Sequence, residues 1–161
     1  MAIPLKWDVD GVVKRSILGR KGGKMRSIIT GSNGFIGKHL RERLEQLGHT
    51  VVPIKRELLF ELGYLRAFIE DEKPDYIFHL AAYGNMVHQK DEQEIFKANV
   101  IGTWNMLNAS KDINYKAFIN VSSSSVGLET ETFYSATKAA GERLAKAFVS
   151  VELLKLRLKM K

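Results

Sequence analysis

Thr30-Gly31-Ser32-Asn33-Gly34-Phe35-Ile36-Gly37 stands between a short apolar run, Ser27–Thr30, and a stretch in which Ile36, Leu40, Leu44 and Leu47 recur at helical spacing. That arrangement restricts the fold more than any other feature of the chain. Gly31 permits a tight turn as the backbone leaves a strand, and Gly37 lets the following helix lie close to the sheet. Gly34 allows the backbone to approach a ligand. A helix opening at such a turn offers unpaired N–H groups and the positive end of its dipole to a pyrophosphate.

The rest of the chain repeats the alternation. A helix is expected from about Gly34 to Leu47, ended by Gly48, and the β-branched run Thr50–Ile54 reads as a second strand. Leu58–Glu72 reads mostly as helix, stopped by Pro74. A buried strand over Tyr76–Ala82, a long helix over Glu92–Ala109, a strand over Ala117–Val121, a helix over Phe133–Val149 and a last strand over Val151–Leu158 follow. Strands separated by helices call for parallel pairing, so the predicted class is α/β, a doubly wound, Rossmann-like parallel sheet.

Charge separates an arm from a body. Residues 1–24 hold six of the 25 Lys/Arg and two of the 18 Asp/Glu, a local +4, leaving residues 25–161 near balance at +3. The expected organisation is a basic N-terminal extension, 1–24, and an incomplete dinucleotide-binding domain, 25–161. The body has no basic stripe interleaved with aromatics, so nucleic acid is not an expected partner. No apolar run reaches the ~18–20 residues of a membrane span, so no membrane partner is expected. Cysteine is absent, which excludes disulfides and thiolate chemistry and makes the cytoplasm the expected location. His39, His49, His79 and His88 show no ligand spacing, so no metal site is expected.

About a hundred residues after the glycine turn comes Tyr134-Ser135-Ala136-Thr137-Lys138. On a helix, Tyr134 and Lys138 share one face, separated by ~6 Å of rise. A neighbouring ammonium favours phenolate, and a shift of ~3 units in the phenol requires ~4 kcal/mol. Tyr134 is therefore expected to move a proton with Lys138 as its charge partner. The serine run Ser122–Ser125 follows a strand, at the edge where doubly wound sheets put ligands.

The Thr-G-x-x-G-x-x-G form of the turn resembles the short-chain dehydrogenase/reductase superfamily. Four more segments are similar to its extended branch, the NAD-dependent epimerase/dehydratase family. They are His79-Leu80-Ala81-Ala82-Tyr83-Gly84, Asn99-Val100-Ile101-Gly102-Thr103-Trp104-Asn105, Val121–Val126 and Tyr134–Lys138. The resemblance covers residues 25–158. It implies catalysis by Ser123, Tyr134 and Lys138, with Ser124 an open alternative for the serine. It implies a cofactor held at Gly31, Asn33, Gly34, Phe35, Ile36 and Gly37, by the segment Leu80, Ala81 and Ala82, by Asn99, and by Lys138 on the nicotinamide ribose. Ser124-Ser125 stands where family dehydratases have Asp-Glu, which points to an epimerase or reductase of nucleotide sugars.

At the end of the second strand an acid would accept hydrogen bonds from a free ribose 2′-hydroxyl; here Lys55 and Arg56 stand instead, which suits a 2′-phosphate. NADP is thus the expected cofactor, with NAD the alternative. Leu58 and Leu59 stand near where many relatives carry an Asp beside the adenine. His79 is expected to pack or hydrogen-bond beside the sheet without a catalytic role. Relatives continue for about as long again, so the chain is expected to lack the sugar-binding domain and to self-associate or dock on a partner chain. The rival expectation is a non-catalytic dinucleotide-binding fragment or subunit of a split enzyme.

Overall fold

The structure, a computed structural model, describes residues 23–148. The expectations for residues 1–22, for Val149 at the end of the last helix and for the strand Val151–Leu158 lie outside the described residues.

Four strands, β1 (Arg26–Thr30), β2 (Thr50–Ile54), β3 (Tyr76–His79) and β4 (Ala117–Asn120), form one parallel sheet in the order β2-β1-β3-β4. Between them run α1 (Phe35–Gln46), a 3-10 turn (Glu57–Phe60), α2 (Leu62–Glu72), α3 (Glu92–Phe96), a π-helical turn (Lys97–Ile101) and α4 (Gly102–Ser110); α5 (Phe133–Phe148) follows β4.

Strand alternation sends neighbouring side chains to opposite faces, and both faces are covered. Ile29, Phe78 and Ile119 pack with Leu40 and Leu44 of α1. Ile28, Ile77 and Phe118 pack on the other face with Leu65 and Ile69 of α2, Met106 and Leu107 of α4 and Ala145 of α5. Each of these Ile, Leu, Met and Phe side chains contributes roughly 1.5–3 kcal/mol by its burial. The chain turns from one side of β1 to the other after β2, so the switch point lies between β1 and β3, where such sheets bind ligands beyond the strands' carboxyl ends.

Three expectations need correction. β3 ends at His79 rather than Ala82, because the N–H groups of Leu80 and Ala81 donate to the Thr30 hydroxyl at 3.1 and 3.0 Å. The helical stretch after β2 opens as a 3-10 turn and becomes α-helical only at Leu62. The long helix after β3 contains a π-helical turn at its centre and ends at Ser110.

Helix starts follow their capping residues. Asp91 accepts from the N–H groups of Gln93 and Glu94 at 2.9 and 3.1 Å, which fixes α3. Thr132 and Ser135 exchange bonds, the Ser135 N–H to Thr132 Oγ1 at 3.1 Å and the Thr132 N–H to Ser135 Oγ at 2.8 Å, which fixes the first turn of α5.

Candidate active site

A cavity of about 480 Å³ opens at the switch point. The ends of three strands line it: Gly31–Gly34 after β1, Ile54–Glu57 at β2 and Leu80–Tyr83 after β3. Leu59, Phe60 and Ala98 add an apolar side. That slot, to which Leu59 contributes where relatives carry an acid, has the chemistry to take a flat aromatic base.

The glycine turn has the predicted shape. Gly31 has φ +68, and a Cβ there would stand 2.9 Å from the Ala81 nitrogen. A Cβ on Gly37 would stand 2.1 Å from the Gly31 oxygen, so α1 packs as closely as backbone allows. The first turn of α1 carries no acidic residue and its N-cap, Gly34, makes no side-chain cap bond. The positive end of the helix is thus uncompensated by side chains, the condition a pyrophosphate needs.

Not every expected cofactor residue meets the cavity. Gly31, Asn33, Gly34, Lys55, Arg56, Leu80, Ala81 and Ala82 line it; Phe35, Ile36 and Gly37 do not. Phe35 lies against the His39 ring, with centroids 5.0 Å apart, on the surface of α1. Arg56 is not an idle cation. Its guanidinium lies 5.3 Å from the centroid of the Tyr83 ring and is bonded by the Glu94 carboxylate.

Asn99, expected at the cofactor, is buried and spent on protein. Its Oδ1 accepts from the Tyr83 N–H at 2.9 Å, and its Nδ2 donates to the Tyr83 carbonyl at 2.8 Å and to Thr137 Oγ1 at 3.0 Å. Thr137 Oγ1 in turn donates to the Tyr134 carbonyl at 2.9 Å. Asn99 therefore ties Tyr83, which lines the cavity, to the turn of α5 that carries Tyr134. An Asn inside a helix, where its propensity is poor, is the signal the sequence held; its burial and its partners were not legible there.

His79 is fully buried and joined at both nitrogens. Thr103 Oγ1 donates to the Asn99 carbonyl at 2.7 Å, so it accepts from Nε2–H of His79 at 3.0 Å. Nδ1 then accepts from the Thr30 hydroxyl at 2.8 Å. Burial, with the Lys138 charge adding to it, holds this imidazole down at about 3. It is a neutral structural hub, as expected from the sequence.

At the mouth of β4, Ser123 meets Tyr134. The Ser123 hydroxyl acts on the Tyr134 phenol and lowers its pKa, while the Ser123 oxygen lies 2.8 Å from Ser125 Oγ and accepts from the Ser125 N–H at 3.2 Å. Of the two serines left open, Ser123 is the one at the phenol. Burial pushes the Tyr134 pKa above the ordinary value, and Ser123 only partly opposes that. Lys138 turns to the strand instead, and its Nζ donates to the Val121 carbonyl at 2.7 Å. Burial draws this ammonium down to about 8 against the pull of the Glu142 carboxylate, which itself accepts from Ser122 at 2.5 Å. The residues expected to share one charge are thus held in separate hydrogen bonds.

A family model described as the NAD dependent epimerase/dehydratase family matches residues 27–153. The chain belongs to that family. Among curated members of the NAD-dependent epimerase/dehydratase family, a probable UDP-glucuronate 4-epimerase of Rhizobium meliloti is 29% identical over 77% of this chain and 49% of its own length. A dTDP-4-dehydrorhamnose reductase of Bacillus anthracis, solved in complex with NADP, superposes with a TM-score of 0.68 at 27% identity, over 80% of this chain and 51% of that one. A UDP-glucuronic acid 4-epimerase of Bacillus cereus, solved with UDP-glucuronic acid and NAD, gives 0.68 at 26% identity, over 83% and 56%. The chain spans half or less of the length of the curated relatives it matches first. Family membership carries a nicotinamide cofactor; solved relatives hold NAD in one case and NADP in the other.

Proposed function

We propose that this chain is the dinucleotide-binding part of an epimerase or reductase that acts on a nucleotide sugar. The observation that carries the reading is the Ser123–Tyr134 hydroxyl pair at the carboxyl edge of the same sheet whose other strand ends build the cavity. When bound, a nicotinamide supplies hydride transfer. The chain's own residues bind and orient: the Gly31–Gly34 turn meets the pyrophosphate, and the Leu59–Phe60 side meets the adenine. Ser123 holds the reacting sugar oxygen, and Tyr134 gives it or takes from it a proton. Lys138 serves the ribose once it leaves the Val121 carbonyl. Lys55 and Arg56 at the ribose favour NADP over NAD.

Calorimetric titration of the chain with NADPH and NADH tests the cofactor half. Tyr134→Phe tests the chemical half, with the chain supplied with a substrate-binding half, in a hydride-transfer assay against a nucleotide-sugar panel: turnover falls by ~10²–10⁴ with cofactor affinity kept. Wild-type turnover in that variant overturns the assignment of the proton carrier.

A second reading is a dinucleotide-binding module without catalysis. It is favoured by Lys138 being committed to Val121 instead of Tyr134. Cofactor binding without turnover by the chain, supplied with a substrate-binding half, distinguishes it.

A further inference from the structure

The carboxyl end of β2 delivers Arg56 into the cavity, and the structure shows what that guanidinium is doing. One face rests on the Tyr83 ring, and one amino group is bonded by the carboxylate of Glu94. The backbone of each neighbour is held. The Tyr83 peptide is gripped on both sides by Asn99. Glu94 stands in the first turn of α3, its own N–H accepted by the capping carboxylate of Asp91. Arg56 therefore stands between a ring and an anion whose backbones are both held in place.

This bears on the 2′ position of a bound dinucleotide. A 2′-phosphate reaching for Arg56 brings close to two negative charges to a cation that already has a carboxylate partner. A ribose 2′-hydroxyl brings none. We propose that Glu94, thirty-eight residues away from Arg56 in sequence, is a specificity-determining residue that restrains NADP binding while leaving NAD binding almost untouched. This rests on the reading above that Arg56 borders the adenosine ribose. Lys55 and Arg56 favour the phosphorylated cofactor, and Glu94 sets how far that preference goes.

The pair suits a clean test, because both side chains are about half exposed, with relative accessibilities of 49% and 40%. An exposed pair adds little to stability, so removing the charge leaves the fold intact. The experiment is calorimetric titration of the 161-residue chain with NADPH and with NADH at low ionic strength, where screening is weakest. It compares the wild type, Glu94→Gln, Arg56→Ala and the double variant. Glu94→Gln is expected to raise NADPH affinity roughly tenfold, about 1.4 kcal/mol, while NADH affinity changes by less than about twofold. The gain is expected to vanish when Arg56 is already alanine.

An unchanged NADPH-to-NADH ratio in Glu94→Gln, with Arg56→Ala still weakening NADPH, overturns the proposal and leaves the cofactor reading standing. An equal gain in the Arg56→Ala background also overturns it, because Glu94 then acts as a general charge. Arg56→Ala without effect on NADPH in either background removes the reading on which the proposal rests, and the proposal with it.

Discussion

The Lys138 ammonium donates to the Val121 carbonyl at 2.7 Å, at the end of the strand that leads into the serine turn. This relationship makes the lysine a liability to the fold. Its pKa is drawn from 10.5 to about 8. A base depressed by folding is penalised in full below about pH 8, and stability rises as pH climbs from about 8 toward 10.5, where the unfolded chain binds the extra proton. Lys138→Met is therefore expected to be more stable than wild type at pH 7 by about 1 kcal/mol, after the loss of one carbonyl partner is counted. The advantage should vanish within about one pH unit above 8 and reverse by pH 10.5, where wild type no longer bears the cost of the buried charge and the variant still lacks the carbonyl partner. Urea denaturation at pH 7, 9 and 10.5 checks it, and a variant less stable at pH 7 than at pH 10.5 relative to wild type contradicts the sign.

His79 gives the acid limb. Its imidazole is held at about 3 against an ordinary 6.5, so the unfolded chain binds a proton that the folded chain refuses. Stability from this group is intact above 6.5 and falls by about 1.4 kcal/mol per pH unit as pH drops through the window toward 3. A His79→Gln variant, less stable at neutral pH, is expected to show a shallower decline between pH 6 and 4. Parallel denaturation curves at those two values test the difference in slope.

The Ser123 hydroxyl lowers the pKa of a phenol that burial has raised. Ser123→Ala is therefore expected to move Tyr134 to a still higher pKa. Alkaline absorbance titration, with Tyr134→Phe subtracted to isolate the one phenol, reads this directly. A downward shift contradicts the placement of Ser123.

Two glycine replacements should act in opposite directions. A Cβ on Gly37 meets the Gly31 carbonyl oxygen at 2.1 Å, whereas Gly63, in α2, has nothing within 4 Å. Gly37→Ala forces α1 off the turn and is expected to cost about 3 kcal/mol or more. Gly63→Ala is expected to stabilise by roughly 0.5–1 kcal/mol, since it removes only backbone freedom. Chemical denaturation of the two variants separates them.

Sequence pattern carried far where the cause was local. β2 has its expected bounds, Thr50–Ile54, and α1 and α5 begin within a residue of theirs, because glycine, β-branched residues and apolar spacing act over a few positions. The pattern misled where a distant side chain intervened. Leu80-Ala81-Ala82 continues the apolar run of β3, but the Thr30 hydroxyl, fifty residues earlier, takes two N–H groups and ends the strand. Lys138 stands in its expected helix, yet its partner is a backbone carbonyl, which leaves no trace in residue spacing. The hold of Glu94 on Arg56 spans thirty-eight residues and is equally silent.

The π-helical turn at Lys97–Ile101 lodges one more residue than an α-helix would, and Asn99 sits inside it. Each residue of an α-helix advances the side chains by ~100°. Deleting a single position from this turn would restore regular winding and swing everything on its N-terminal side by about that angle relative to Thr103. Asn99 would then point away from Tyr83 or from Thr137, and Glu94, one turn further back, would leave Arg56. One surplus residue thus keeps the floor of the cavity and the tyrosine helix in phase, so a shortened loop elsewhere is tolerable where a shortened helix here is not.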